Sequence, residues 1–159
     1  MKLEDPLPAF DPVDSAFAGR VRSSFARQGL MQTLEAQLAD VGPGVCEIRL
    51  PYRPGVNQQD GYFHAGATAA IADSAGGYAA SSLMGPDDAV LSVEFKINLL
   101  APARGELLIA RGRVLRAGRT LTVCRVDVAA RRGETETLCA TMQQTVMRMR
   151  GRADAAAPA

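Results

Sequence analysis

Apolar residues in the first part of the chain recur with the spacing of a helix. The stripe consists of Phe17, Val21, Phe25 and Leu30. It predicts a helix that runs to about residue 30, with Asp14 or Ser15 available as its N-cap. Three prolines in residues 1–13 predict an extended arm before this helix, and a short turn at residues 31–34 follows it.

The middle of the chain predicts two short strands and a second, longer helix. The Gly-Pro-Gly turn at residues 42–44 joins the two strands, and the polar residues 53–62 form a loop. Residues 64–84 are rich in alanine, the best helix former. Because Gly76 and Gly77 weaken this helix, we expect a neighbour there that packs too closely for a side chain.

From residue 90 onward the pattern changes to the alternation that is typical of strands. Four strands are predicted, in the order VLSVEFKINLL, ELLIARGRVLR, TLTVCRVDVAAR and TETLCATMQQTVMRMR. In the first of them, strict alternation places Val93 and Phe95 on one face, and Ser92 and Glu94 on the other. The order of the elements predicts an α+β fold in which an antiparallel sheet wraps around the long central helix.

Composition narrows the class of protein. At 159 residues the chain is long enough for one domain with a buried core. A net charge of +1 gives no reason to expect nucleic acid or a membrane surface as a partner. The N-terminus does not resemble a signal peptide, and no stretch is hydrophobic enough for a transmembrane helix. We therefore expect a cytoplasmic protein.

The cysteines indicate core packing rather than chemistry. Cys46, Cys124 and Cys139 each lie in an apolar, strand-like run, and none belongs to a CxxC pair. We expect buried thiols in a reducing compartment. With one histidine in the whole chain, a zinc site is not expected. No GxSxG motif accompanies the histidine, so a serine hydrolase elbow is not indicated either.

The central helix carries the residues that indicate a function. The segment DGYFHAGATAAIADSAGGYAA contains the single histidine, His64, and a lone carboxylate within the predicted helix, Asp73. With the polar loop before it, this segment resembles the PaaI-type branch of the hotdog-fold acyl-CoA thioesterases. The resemblance continues through LSVEFKINLLAPARGE and GRVLRAGRTLTVCRVDV.

The resemblance implies a domain organisation and an activity. It covers about residues 35–148, which would form the hotdog domain, with an N-terminal arm and helix at residues 1–34 and a disordered tail at residues 149–159. The implied activity is hydrolysis of an acyl- or aryl-CoA thioester to the free acid and coenzyme A. No separate cofactor is expected, because coenzyme A is part of the substrate.

Thioester hydrolysis needs donors for the oxyanion and a group that activates water or attacks directly. The N–H groups at a helix start suit the first role, and we assign it to Ala65, where the family has glycine. The added methyl group is expected to narrow the substrate range. His64 would cap and orient the helix start, or lie near the thiolate. Asp73, which we expect to be partly desolvated, would fill the second role, although a buried acid satisfied by Ser74 or by a backbone group fits the pattern too.

Polar groups around these residues follow from the resemblance. Gln58 is expected to contact the thioester carbonyl or the attacking water, and Asn57 and Gln59 are alternatives because a loop shift of one residue would exchange them. Ser92 lies on the strand after the helix, where related enzymes place a hydroxyl that orients the water. A solvent-exposed strand serine is the competing interpretation.

Substrate binding is expected at small residues and at one basic turn. Gly66 and Gly77 belong to the expected pocket on the helix. Coenzyme A carries phosphates, which arginine binds well. The resemblance places the nucleotide near the turn that contains Arg116, Gly118 and Arg119.

Helix geometry implies more than one subunit. Nine residues at about 100° each put His64 and Asp73 on opposite sides of one helix, about 13.5 Å apart along its axis. They cannot act on the same thioester within one chain. The resemblance therefore implies a homodimer with shared active sites, assembling further to a tetramer. Two alternatives stay open: a non-catalytic acyl-CoA-binding hotdog protein, and a hotdog dehydratase or hydratase.

Overall fold

A computed structural model describes residues 9–152. Its elements are α1 (Phe17–Ala26), α2 (Gly29–Leu34), β1 (Gln37–Gly42), β2 (Val45–Pro51), α3 (Ala65–Ser81), β3 (Ala89–Leu99), β4 (Leu107–Ala117), β5 (Leu121–Arg132) and β6 (Thr135–Met149). Most of the predicted arm and tail lie outside the described residues. Among those residues, no helix is long and apolar enough to cross a membrane.

The six strands form one antiparallel sheet in the order β1-β2-β4-β5-β6-β3. Helix α3 packs against all six strands and most extensively against β4. Most of its residues are buried, because alanine and glycine let the sheet approach on several sides. The predicted α+β fold, with an antiparallel sheet around the central helix, is confirmed.

Glycine makes the closest contact between the helix and the sheet possible. A Cβ atom at Gly112 on β4 would lie 2.4 Å from the carbonyl oxygen of Ala75 on α3. A Cβ atom at Gly76 would lie 1.9 Å from the side-chain oxygen of Gln144 on β6. The expected close neighbour at Gly76 is thus present. Gly77 meets only an ordinary contact, at 3.6 Å from Val90.

The N-terminal helix differs from the prediction. The single helix expected to run to residue 30 is interrupted at Arg27 and Gln28, and the residues expected to form a turn belong to α2. Gln28 has an extended backbone with ψ of 100°, so it ends the first helix and serves as N-cap of the second. Periodicity missed the break because the apolar stripe continues across it.

Hydrogen bonds from one arginine connect α1 to the C-terminal end of α3. Arg20 donates hydrogen bonds to the carbonyl oxygens of Ser81 and Met84, at 3.2 and 2.8 Å, and forms an ion pair with Asp14 at 3.2 Å. A cation at the C-terminal end of a helix satisfies carbonyl groups that have no partner within the helix. This contact holds α1 beside the residues that follow α3.

Strand β3 is an edge strand with an irregular register. Ser92 pairs with Val146, whereas Glu94 pairs with Thr145, so the strand has a β-bulge at Val93. Beyond the bulge the alternation is reversed, and Phe95 lies on the same face of the sheet as Ser92. The predicted placement of these two residues on opposite faces is therefore wrong. The bulge turns Ser92 toward α3.

The three cysteines are free and buried. Burial raises the pKa of the thiols of Cys46 and Cys124 to about 12, and that of Cys139 to about 11. A thiol must ionise to act as a nucleophile or to bind a metal, so these cysteines serve as small core residues. Within residues 9–152, no cluster of three or more histidine, cysteine or acidic residues could hold a metal ion.

Candidate active site

The start of α3 leaves the exposed backbone N–H of Ala65 available as a donor. His64 is the N-cap, and its Nδ1 accepts a hydrogen bond from the N–H of Gly66 at 2.8 Å. The hydrogen of the neutral ring is therefore on Nε2. Ala65 is the first helical residue, and no hydrogen bond among the described residues uses its N–H. His64, Ala65 and Gly66 are all exposed, so a ligand can reach this donor.

The loop before α3 is held by its own polar side chains. The side-chain oxygen of Gln58 accepts a short hydrogen bond from the N–H of Asp60, which closes a tight turn. Asn57 accepts from the N–H of Gly55 at 3.3 Å, and Gln59 contacts Asp60 at 3.4 Å. Gln58 is half-buried, whereas Asn57 and Gln59 are exposed. In this chain all three point to the loop, and none contacts Asp73.

The acid of α3 is held by two side chains from the sheet. The hydroxyl of Ser92 donates to Oδ1 of Asp73 at 2.7 Å, and Nε2 of Gln144 donates to the same oxygen at 2.6 Å. Within the described residues no hydrogen bond uses Oδ2. Asp73 is half-buried, so water and substrate can reach it. Ser74 does not satisfy the acid, because its hydroxyl donates to Gln28 at 3.0 Å.

Asp73 faces a groove of about 850 Å³. Its walls are α1, the middle of α3 and the start of β3, and its lining includes Ser24, Gln28, Gly77, Tyr78 and Leu91. A volume of this size is typical of sites for small molecules. The resemblance did not cover α1, so its contribution to the groove was not anticipated.

The basic turn lies between β4 and β5. Arg116 and Arg119 are exposed there, and a Cβ atom at Gly118 would lie 2.5 Å from the carbonyl oxygen of Leu121, so the turn requires glycine. Thr122, just after the turn, pairs with Val146, which pairs in turn with Ser92. With about 4.8 Å between neighbouring strands, the turn begins about 10 Å across the sheet from Ser92.

The predicted site residues thus fall into separate groups. Asp73, Ser92 and Gly77 lie together at the groove. The group at the helix start and its loop lies near the β3–β4 connection, because the N–H of Phe63 donates to the carbonyl oxygen of Ala103 at 3.0 Å. The continuous α3 keeps His64 and Asp73 about 13.5 Å apart along its axis and on opposite sides.

The sequence motif does not identify Gln144 as a site residue. Gln144 lies between Met142 and Val146 on the face of β6 that is buried against α3. A polar residue at a core-facing position of an otherwise alternating strand is the signal that could have found it.

Comparisons with known proteins agree with this architecture. A profile of the thioesterase superfamily matches residues 60–137. A curated Halobacterium salinarum protein named a "putative esterase" is 31% identical over 127 residues, which are 77% of this chain and 82% of that protein. The crystal structure of a thioesterase family protein from Silicibacter pomeroyi is 47% identical, with a TM-score of 0.83 over 85% of this chain and 99% of the other.

Proteins with lower sequence identity share this fold. The PaaI protein of Escherichia coli, from its phenylacetic acid degradation operon, has a TM-score of 0.75 at 16% identity, with 86% of this chain and 98% of that one covered. The present chain belongs to the thioesterase superfamily. Its fold is that of the PaaI-type hotdog proteins, as the sequence motif predicted, and the names of its relatives support a hydrolase.

Proposed function

We propose that this protein is an acyl-CoA thioesterase in which Asp73 is the reactive carboxylate. The observation that carries the proposal is the arrangement at Asp73, which lines a groove: one of its oxygens is held by Ser92 and Gln144, and the other has no hydrogen bond among the described residues. A carboxylate fixed in this way is suited to take a proton from an attacking water molecule or to attack the thioester carbon itself. In either role, Oδ2 is the oxygen that reacts.

The start of α3 supplies the complementary part. When the thioester carbonyl is attacked, negative charge develops on its oxygen, and a fixed backbone N–H stabilises that charge without reorganisation. The N–H of Ala65 has this character, because it has no partner among the described residues and lies at the positive end of the helix dipole. Collapse of the intermediate then breaks the carbon–sulfur bond and releases the thiolate of coenzyme A.

Both parts belong to one site only if two subunits contribute. We infer that β3 pairs with β3 of a second copy. Within residues 9–152 no strand lies beside its outer edge, and several of its apolar side chains are exposed, namely Leu91, Val93, Phe95 and Leu99. An exposed apolar edge strand favours pairing with another chain. Antiparallel pairing about a two-fold axis would bring the helix start of one subunit toward Asp73 of the other.

The test is release of free thiol from a panel of acyl- and aryl-CoA thioesters, with the wild type and Asp73→Asn compared. The amide keeps the shape of the carboxylate and removes its basicity, so we expect kcat to fall by about 100-fold or more at an unchanged melting temperature. Activity of Asp73→Asn within a few-fold of the wild type would remove Asp73 from the mechanism. Binding of acyl-CoA without thiol release by the wild type would indicate a binding protein instead.

A further inference from the structure

Gln144 is an unusual residue for its position. It is fully buried on β6, where its neighbours on the same face, Met142 and Val146, are apolar and equally buried. A buried amide lowers stability unless all its polar atoms find partners. Its Oε1 has none among the described residues. Packing alone would favour an apolar side chain here.

The hydrogen bonds of the amide nitrogen explain why a glutamine, and not an apolar residue, occupies this position. Nε2 lies 2.6 Å from Oδ1 of Asp73, 3.1 Å from the backbone oxygen of Asp73 and 3.1 Å from the hydroxyl of Ser92. The reverse orientation of the amide would put Oε1 against the carboxylate oxygen, and two acceptors repel each other at that distance. The donor must therefore face the acid, which leaves Oε1 on the other side.

The helix is shaped to receive this amide. A Cβ atom on Gly76 would lie only 1.9 Å from Oε1 of Gln144. Oε1 therefore occupies space that a side chain at position 76 would need. Any side chain at Gly76 would push the amide away from α3. Gly76 follows Asp73 by about one helical turn, so the space that admits Gln144 lies beside the acid that it holds.

We propose that Gln144 is a positioning residue that fixes the carboxylate of Asp73, with Gly76 as the space that lets it do so. The inference rests on the proposed function, in which Asp73 is the reactive acid. With Oδ1 held by Gln144 and Ser92, rotation of the carboxylate is restricted, and Oδ2 stays directed to the groove. Gln144 itself contacts neither substrate nor the reacting oxygen.

The main experiment uses Gln144→Met, which is close in size and removes the donor together with the unpartnered Oε1. We expect kcat to fall by about 10-fold with KM within about 2-fold, because the reacting group is misplaced while the binding surfaces remain. The matched control is Gln143→Met, the same change on the exposed face of the same strand. It is expected to leave kcat unchanged.

A double variant separates positioning from packing. In an Asp73→Asn background, Gln144→Met should cost no further activity, since its effect passes through the acid. Multiplicative losses in the double variant would overturn the proposal. If Gln144→Met fails to fold, Gly76→Ala displaces the same amide from the helix side, and the same comparison applies to it.

A measurement that needs no substrate tests the contact between Gln144 and Asp73 separately from the proposed function. The ¹³C resonance of the Asp73 carboxyl carbon reports its hydrogen bonds. We expect this resonance to move in Gln144→Met and to stay in place in Gln143→Met. If the resonance moves but the wild type hydrolyses no thioester, the contact stands, and both the thioesterase assignment and the positioning role that rests on it are wrong. If the resonance does not move, the Gln144 proposal is wrong, whatever the activity.

Discussion

At the scale of single residues, the site is built from few atoms with definite partners. Asp73 would be an ordinary half-exposed acid if Ser92 and Gln144 did not hold one of its oxygens. His64 uses its ring to cap the N–H of Gly66, which leaves the preceding N–H of Ala65 as the available donor. Each of these roles depends on only one or two groups, so single substitutions can test them.

Ser92 offers the simplest test at this scale. Its hydroxyl donates to Oδ1 of Asp73 and accepts from Nε2 of Gln144 at 3.1 Å. We expect Ser92→Ala to lower kcat by about 10-fold with little change in melting temperature, because the residue is exposed. Ser92→Thr keeps a hydroxyl and suits a strand, so it should restore most of the activity. Equal kinetics for the alanine variant and the wild type would show that the hydroxyl has no part in the reaction.

At the scale of elements, irregular features decide where side chains point. The bulge in β3 turns Ser92 to the helix side, and the interruption between α1 and α2 places Gln28 against Ser74. The tight turn between β4 and β5 presents Arg116 and Arg119 at the end of the sheet where Ser92 lies. These features bring the acid and its partners together and leave a pair of cations about 10 Å away across the sheet.

The basic turn predicts a difference between two substrates. We expect Arg116→Ala combined with Arg119→Ala to raise KM for an acyl-CoA by about 10-fold, and KM for the matching pantetheine thioester by less than about 2-fold. Only the first substrate carries the nucleotide phosphates. Arg131→Ala combined with Arg132→Ala removes the same charge at the opposite end of β5 and serves as the control. Equal effects on the two substrates would show that the turn does not contact the nucleotide.

At the scale of the whole molecule, one chain holds the parts of a site without assembling them. The helix start and the acid lie on opposite sides of α3, and the edge strand that could join two chains runs beside the acid. Dimer formation would complete the site and cover the exposed apolar edge at the same time. Assembly and activity are therefore expected to be coupled.

Mixing two inactive variants tests the shared site. One variant carries Asp73→Ala and the other Ala65→Pro, which removes the proposed donor. Proline is tolerated there because Ala65 is the first helical residue, and His64 before it is already extended, with φ of −67° and ψ of 137°. A mixed dimer has one site with both lesions and one with neither, so activity should return to about half that of the wild type.

Differently tagged chains that are purified together provide the control that subunits have exchanged. If confirmed mixed dimers of folded variants stay inactive, the shared-site model is wrong. The role assigned to either Ala65 or Asp73 would then have to be abandoned as well.

Local patterns in the sequence were sufficient for most of the elements. Alternation predicted the strands, the alanine-rich segment predicted α3, and the spacing of His64 and Asp73 predicted that they lie on opposite sides of it. These properties depend on residues close together in the chain, where periodicity and helix geometry act directly. The family motif lies in the same local segments, so it too was readable.

Only the tertiary structure decided what surrounds the acid. Gln144 lies 71 residues after Asp73 in the chain, and its partnership depends on strand order, on the register of β6 and on the space at Gly76. The bulge that turns Ser92 inward is likewise a property of the pairing of β3 with β6. Such contacts arise from the packing of the whole sheet on α3, to which residues far apart in sequence contribute jointly. The alternation within β6 marks Gln144 as a polar residue on the buried face, but it carries no information about the residue that Gln144 contacts.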